Sequence, residues 1–321
     1  MILFTADWHI KLGQKNVPRD WAIKRYRMFF DQLACIEEAD KIDLHIVGGD
    51  LFDRLPNMEE LELYFEWVAR VTVPTIVFDG NHEATKKNTT FFDQLKTATS
   101  KINPLVTVIT ESYVDDKLNF GILPYADLNK PNSIENFDVE CLFTHVRGEI
   151  PPHVKPEVDL SRFDKFKVVF AGDLHSHSNT QRNIVYPGSP MTTSFHRTEV
   201  ATGFLLIDEN SGWSWIWRDF DLPQLIRKTV VDPAEMVETD FHHTIYEIEG
   251  DIQELAKIKN SELLDKKVVK RASEATLVLE KDATIEEELV EYLAYILELS
   301  DTQIQNIVGT FNDYASKVEM E

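Results

Sequence analysis

Sulfur is scarce in this chain: 321 residues include only two cysteines, Cys35 and Cys141, and no Cys-x-x-Cys pair. That excludes a cysteine-ligated zinc module and a disulfide framework, and both cysteines are expected to pack in a core within a reducing compartment. A run of about 18 apolar residues, the minimum for a membrane helix, is also missing. The start, Met1 to Asp7, lacks the basic and long apolar regions of a secretory signal. A cytoplasmic protein without membrane contact is the expectation. Base is scarce relative to acid: 33 Lys and Arg against 55 Asp and Glu give a net charge of −22. Phosphate backbones are held mainly by Lys and Arg, so this balance opposes a nucleic-acid partner unless cations bound in a site change the local field.

What is present describes an ordinary folded protein, 43% hydrophobic and 27% charged, long enough for one large domain and a smaller one. The charges are unevenly placed. Lys11, Lys15, Arg19, Lys24, Arg25 and Arg27 cluster near the start, and Arg54, Lys86, Lys87 and Arg147 follow later polar blocks. Residues 285–321 carry nine acids against one base, Lys317, which reads as a solvated acidic face.

The first hundred residues alternate strand and helix: strands at Ile2–Ala6, Leu44–Gly48 and Pro74–Phe78, helices at Asp20–Glu38, Met58–Val71 and Asn88–Ser100. That order implies parallel strands. From residue 105 the pattern is β-rich, with runs at Leu105–Ile109, Leu118–Leu123, Val139–Thr144, Lys167–Ala171, Asn183–Tyr186, Gly203–Ile207 and Trp213–Trp217, the last two joined by a turn at Asp208–Gly212. Two sheets packed face to face with helices outside would use so many strands. We expect an α/β domain over 1–220 and a small α+β unit over 221–283, with β runs at Thr244–Glu249 and Ala275–Glu280 and a helix between them. A C-terminal pair of helices follows over 284–321, opened by the capping-box spacings Thr284–Glu287 and Ser300–Gln303.

Five polar blocks each follow or end an apolar run: Asp7-Trp8-His9, Gly49-Asp50, Gly80-Asn81-His82-Glu83, His145 and Gly172-Asp173-Leu174-His175. Side chains delivered from several strand ends converge on one crevice. Asp7 and His9, two apart, would face one side of a strand, and the glycines before Asp50 permit close backbone approach. Taken singly, each block reads more readily as structural than catalytic; their joint order carries the argument. Oxygen and imidazole ligands without sulfur suit Mn²⁺, with Mg²⁺, Fe²⁺ or Zn²⁺ also accommodated. Two such cations would activate water for attack on a phosphoester without a nucleophilic Ser or Cys.

The series Asp-x-His, Gly-Asp-x-x-Asp, Gly-Asn-His-Glu, a lone His and Gly-x-x-His resembles that of the calcineurin-like metallophosphoesterases. Leu51-Phe52-Asp53, Leu123-Pro124-Tyr125, Tyr186-Pro187-Gly188-Ser189-Pro190 and Ser194-Phe195 resemble more narrowly the SbcD branch, nuclease subunits of double-strand-break repair complexes, and its compact bacteriophage-type recombination members. The resemblance covers residues 1–220 by motif and the rest by domain order. It implies the family's two-sheet sandwich flanked by helices, a capping domain, and a host-cytoplasmic setting if phage-encoded.

It further implies a Mn²⁺-dependent DNA exonuclease with endonuclease activity, acting on double-stranded DNA ends in repair or recombination. Asp7, His9, Asp50 and His175 would hold one metal; Asp50, Asn81 and His145 would hold the second. His82 would be the general acid or transition-state stabiliser, and Arg54, Arg147 and Ser189 would contact substrate. The family's last block is Gly-His-x-His. Here Asp173 stands where its first His belongs and is expected to ligate the metal in its place with altered affinity, while a rival register pairs His175 with His177. Partners would be an SbcC-type SMC-like ATPase gripping the C-terminal helices and a second copy of the chain. A phosphodiesterase for small substrates, and a non-catalytic scaffold for the ATPase, are the competing readings.

Overall fold

Successive side chains of the first strand already separate the fold into layers. In β1 (Ile2–Thr5), Leu3 faces helices while Ile2 and Phe4 face a second sheet, as the two-residue period of a strand requires. The computed structural model describes residues 1–84, 90–269, 284–296 and 299–318. The first sheet contains β1, β2 (Leu44–Gly48), β3 (Thr75–Phe78), β4 (Val106–Ile109), β10 (Gly203–Asp208) and β11 (Ser214–Asp219), in the order β11-β10-β1-β2-β3-β4. Its first four strands run parallel, and β10 and β11 form an antiparallel hairpin on β1. The second sheet runs in sequence order through β5 (Tyr113–Asp115), β6 (Phe120–Leu123), β7 (Cys141–His145), β8 (Val168–Gly172) and β9 (Ile184–Val185).

The expected sandwich is therefore the observed architecture. Between the sheets, Phe4, Ile46 and Phe78 meet Phe120, Phe143 and Phe170. The Phe143 ring lies 5.3 Å from both Phe4 and Phe170. Helices α1 (Arg19–Ala39), α2 (Met58–Arg70) and α3 (Phe92–Ile102) cover the other face of the first sheet through Phe29, Leu33, Leu63, Trp67 and Leu95. Asn57 and Glu60 close a capping box at the start of α2. Beyond the second sheet, Leu142 and Val169 pack with Leu128, Phe163 and Tyr186.

Several expectations need correction. Cys141 is buried, but Cys35 is exposed on α1. The helix expected between residues 249 and 275 is only the turn Ile252–Leu255, followed by a strand, β14 (Leu264–Val269). With β12 (Leu225–Val230) and β13 (His243–Gly250) it forms a three-stranded sheet. Lys266 and Lys267 make β14 a solvated edge, whose weak apolar alternation hides it in the sequence. The run expected at Ala275–Glu280 lies outside the described residues, as do Lys86 and Lys87.

The chain divides into two compact units, Met1–Ile248 with Ile258–Lys267, and Glu249–Lys257 with Val268–Glu321, so the segment 221–283 is shared between them. In the first unit, β12 is tied back by Arg227 N–H to the His196 carbonyl (2.8 Å), and Asn16 Nδ2 donates to Asp265 Oδ1 (2.6 Å). In the second, Thr284 and Glu287 cap the helix Ile285–Glu291, and Asn312 in the helix Asp301–Val318 donates to Glu286. No described helix is long and apolar enough to cross a membrane. Phe143→Ala should cost ~3–5 kcal/mol by opening the inter-sheet core, read as a lower urea midpoint with an unchanged slope.

Candidate metal centre

Four of the candidate ligands stand in left-handed backbone: Asp7 (φ 58°), His9 (46°), Asp50 (50°) and Asp173 (99°). Each such position costs a non-glycine residue on the order of 1–2 kcal/mol. Asp7 and His9 therefore do not project from one face of a strand as expected. The chain leaves β1 at Thr5, and the change of handedness turns both side chains inward. Backbone bonds lock the first two loops together: Asp7 N–H to the Gly49 carbonyl (3.0 Å), His9 N–H to Asp50 (2.9 Å) and Ile10 N–H to Leu51 (2.8 Å). Glycine is required at Gly49, where φ is 83° and a Cβ would lie 2.5 Å from His145 Nδ1.

The blocks converge. His9 Nε2 lies 3.0 Å from His175 Nε2 and 3.5 Å from Asp50 Oδ2; His175 Nε2 is 3.9 Å from Asp7 Oδ1. On the other side, His145 Nε2 lies 3.5 Å from Asp50 Oδ1, 3.9 Å from Asp173 Oδ1 and 3.0 Å from Asn81 Oδ1. Asp50 sits between the two groups, and His82 Nε2 faces it at 3.8 Å. Asp7–His9–His175, His9–Asp50–His82 and Asp7–Asp50–His145 each bring their ligand atoms within 4.8 Å of one another.

The donor chemistry fits divalent cations. His145, His82 and His175 engage their Nδ1 atoms with the Gly48 carbonyl, the Asp53 carbonyl and the Thr193 hydroxyl, leaving Nε2 turned inward as ligating imidazoles do. Burial pushes the His9 imidazole down to about 3, so it is neutral with a lone pair to offer. Burial, then the charges of Asp50 and Asp173, drive the Asp7 carboxyl far above its ordinary range. The Asn81 amide end nearest Asp50 lies 3.0–3.1 Å from both its oxygens and 3.0 Å from His145 Nε2. An oxygen there meets only acceptors unless a cation lies among them.

Residues outside the expected set hold this arrangement. Buried Glu83 accepts N–H bonds from Asp50 (3.0 Å), Phe52 (2.8 Å) and Gly80 (2.8 Å), clamping two loops with one carboxylate. Lys11 pairs with Asp53 at 2.7 Å. Glu83 and Asp53 stand inside the sequence blocks, so their position was visible but their task was not. Three expected residues lie elsewhere. Ser189 is 2% exposed and its hydroxyl engages the Asp7 and Met191 carbonyls, bracing the first loop. Arg54 forks onto buried Glu60 at the head of α2. His177, the partner in the rival register, stacks on Trp217 and bonds the Tyr186 carbonyl, apart from the clustered donors. Arg147 does reach the centre, with two of its N–H groups on Asp173.

Two layers of parallel strands carrying oxygen and imidazole donors at their carboxyl ends define a metal-dependent phosphoester hydrolase. The family model for calcineurin-like phosphoesterases matches residues 1–177, and the chain belongs to that family. Over its whole length it is similar to an Escherichia phage T5 protein named "Probable exonuclease subunit 1", 40% identical over 322 residues and 98% of each chain. Among solved structures, a Thermus thermophilus protein is 11% identical with a TM-score of 0.44, covering 68% of this chain and 97% of that one. A Pseudomonas putida nuclease, MPE, is 13% identical with a TM-score of 0.31, covering 64% and 84%.

A cation binding only the folded centre stabilises it by about 2.7 kcal/mol at a hundredfold excess over Kd. Mn²⁺ should therefore raise the melting temperature of the protein, with EDTA reversing the shift and Asp50→Asn abolishing most of it in differential scanning fluorimetry.

Proposed function

We propose that the chain is a Mn²⁺-dependent DNA nuclease, an exonuclease with endonuclease capacity, and the nuclease subunit of an SbcCD-like complex. The converging blocks specify phosphoester chemistry but no substrate. The observation that carries the substrate is the 40% identity, over 98% of both chains, to a phage protein named as an exonuclease subunit.

In this reading Asp7, His9, Asp50 and His175 hold one cation, and Asp50, Asn81, His145 and Asp173 hold the other. Two divalent cations, when bound, supply electrostatic activation of the phosphoryl group and of the attacking water. The chain's own residues orient that chemistry. Glu83 fixes the loops that carry Asp50 and Asn81, and Thr193 fixes the His175 ring. Because the Asp53 carbonyl engages His82 Nδ1, a proton for the leaving oxygen would pass through Nε2, the nitrogen facing Asp50. Within the early basic cluster, Arg19 and Arg27 pair with Glu59 and Glu66, and Arg25 is buried on Thr192. Recognition would then rest on the centre itself, with Arg147 at its edge.

The word "subunit" in the relative's name supports a partner, for which we favour an SbcC-type ATPase engaging the C-terminal helices. Ile285 (71% exposed), Tyr292 (44%) and Ile307 (39%) offer it apolar contacts. A second copy of the chain and a DNA-positioning cap at 221–283 belong to the same reading. The net charge of −22 favours one rival, a phosphodiesterase for small substrates.

Linear duplex DNA and bis(p-nitrophenyl) phosphate, each supplied with Mn²⁺ and with or without the ATPase, separate these readings. The nuclease should release nucleotides from the duplex, and Asp50→Asn should lower that rate about a hundredfold or more, as loss of a principal transition-state contact does. Hydrolysis of the small ester alone would establish the rival, and hydrolysis of neither would leave a scaffold.

A further inference from the structure

The Asp173 carboxylate is gripped by a single guanidinium. Arg147 Nε lies 3.2 Å from Oδ2 and one terminal nitrogen 3.2 Å from Oδ1. The carboxylate is 5% exposed and the arginine side chain 42%, so the acid belongs to the interior of the centre and the base to its mouth. The same Oδ1 stands 3.9 Å from His145 Nε2, and the Asp173 N–H donates to Asp7 at 3.1 Å. Among the described residues, Arg147 is the only Lys or Arg within 4.0 Å of Asp7, Asp50 or Asp173.

We propose that Arg147 is a resident counter-cation at this position: its guanidinium and a divalent ion compete for Asp173, so that metal loading frees Arg147 for the substrate phosphate. This rests on the two-cation reading of the centre. In the metal-free protein Arg147 supplies the guanidinium charge that Asp173 faces at the mouth of the centre. A divalent ion held between His145 and Asp173 would lie close to that guanidinium, where like charges repel at low effective dielectric. Release is sterically open. The backbone of Arg147 is anchored by its N–H to Glu157 Oε1 (3.0 Å), which also accepts from the Tyr125 hydroxyl through Oε2 (2.9 Å). The half-exposed side chain can therefore turn about a fixed base, and its planar fork suits a phosphate as well as a carboxylate.

The competition is measured by calorimetric titration of the full-length protein with Mn²⁺, without substrate. In Arg147→Ala the affinity of one of the two sites should rise roughly tenfold, within the usual range of coupling between ligands, while KM for DNA rises. Arg147→Lys keeps the charge without the fork and should fall between parent and Arg147→Ala. Unchanged or weaker Mn²⁺ binding in both variants would overturn the competition and leave Arg147 as a brace that positions Asp173. No Mn²⁺ binding by the parent protein would instead overturn the reading of the centre, and the competition with it.

Discussion

Crowded acceptors at the strand ends are the constraint to which the rest of the fold answers. Asp7, Asp50 and Asp173 lie together with inward-facing Nε2 atoms from His9, His145 and His175, nearly all sealed from solvent. Without compensation, burying even one of these carboxylates would be costly. The fold tolerates them through backbone geometry. Left-handed turns after β1, β2 and β8 point the side chains inward, and Glu83 holds the Asp50 and Gly80 loops with three N–H bonds. The hydrogen bonds between the Asp7–Ile10 and Gly49–Leu51 loops, together with the Glu83 clamp, hold these positions in place.

The sandwich was legible because its central strands are buried on both faces. Runs such as Val168–Gly172 are apolar throughout, and their alternation matters less than their ends, where glycine and a polar ligand follow at once. The hairpin of β10 and β11 was equally readable, since Asp208 and Gly212 carry the turn chemistry that the structure uses. The small sheet was not. β12 and β14 carry Arg227, Lys228, Lys266 and Lys267 on half-solvated strands. A charged edge strand lacks the apolar period that identifies one.

The centre divides in the same manner. Residue types with their own ligand chemistry announced themselves: Asp7, His9, Asp50, Asn81, His145 and His175 all arrive in one crevice. Supporting roles did not, because they depend on which backbone group a side chain meets. Ser189 and Arg54 both read as substrate contacts; in the structure Ser189 braces the Asp7 carbonyl and Arg54 forks onto Glu60. Glu83 reads in sequence as one more acid, yet its two oxygens fix the Asp50, Phe52 and Gly80 backbones together.

Net charge then takes on a different meaning. A chain of net charge −22 whose Arg19 and Arg27 are paired with Glu59 and Glu66 offers little long-range attraction to a polyanion. For a DNA nuclease, that moves recognition away from diffuse electrostatics and into the crevice, where bound cations would set the local field whatever the total charge. Affinity for long stretches of duplex would then have to come from outside this chain's own basic residues. Under the proposed function, the exposed Ile285, Tyr292 and Ile307 of the C-terminal helices, in a segment so rich in acid, are where such an outside contribution would attach.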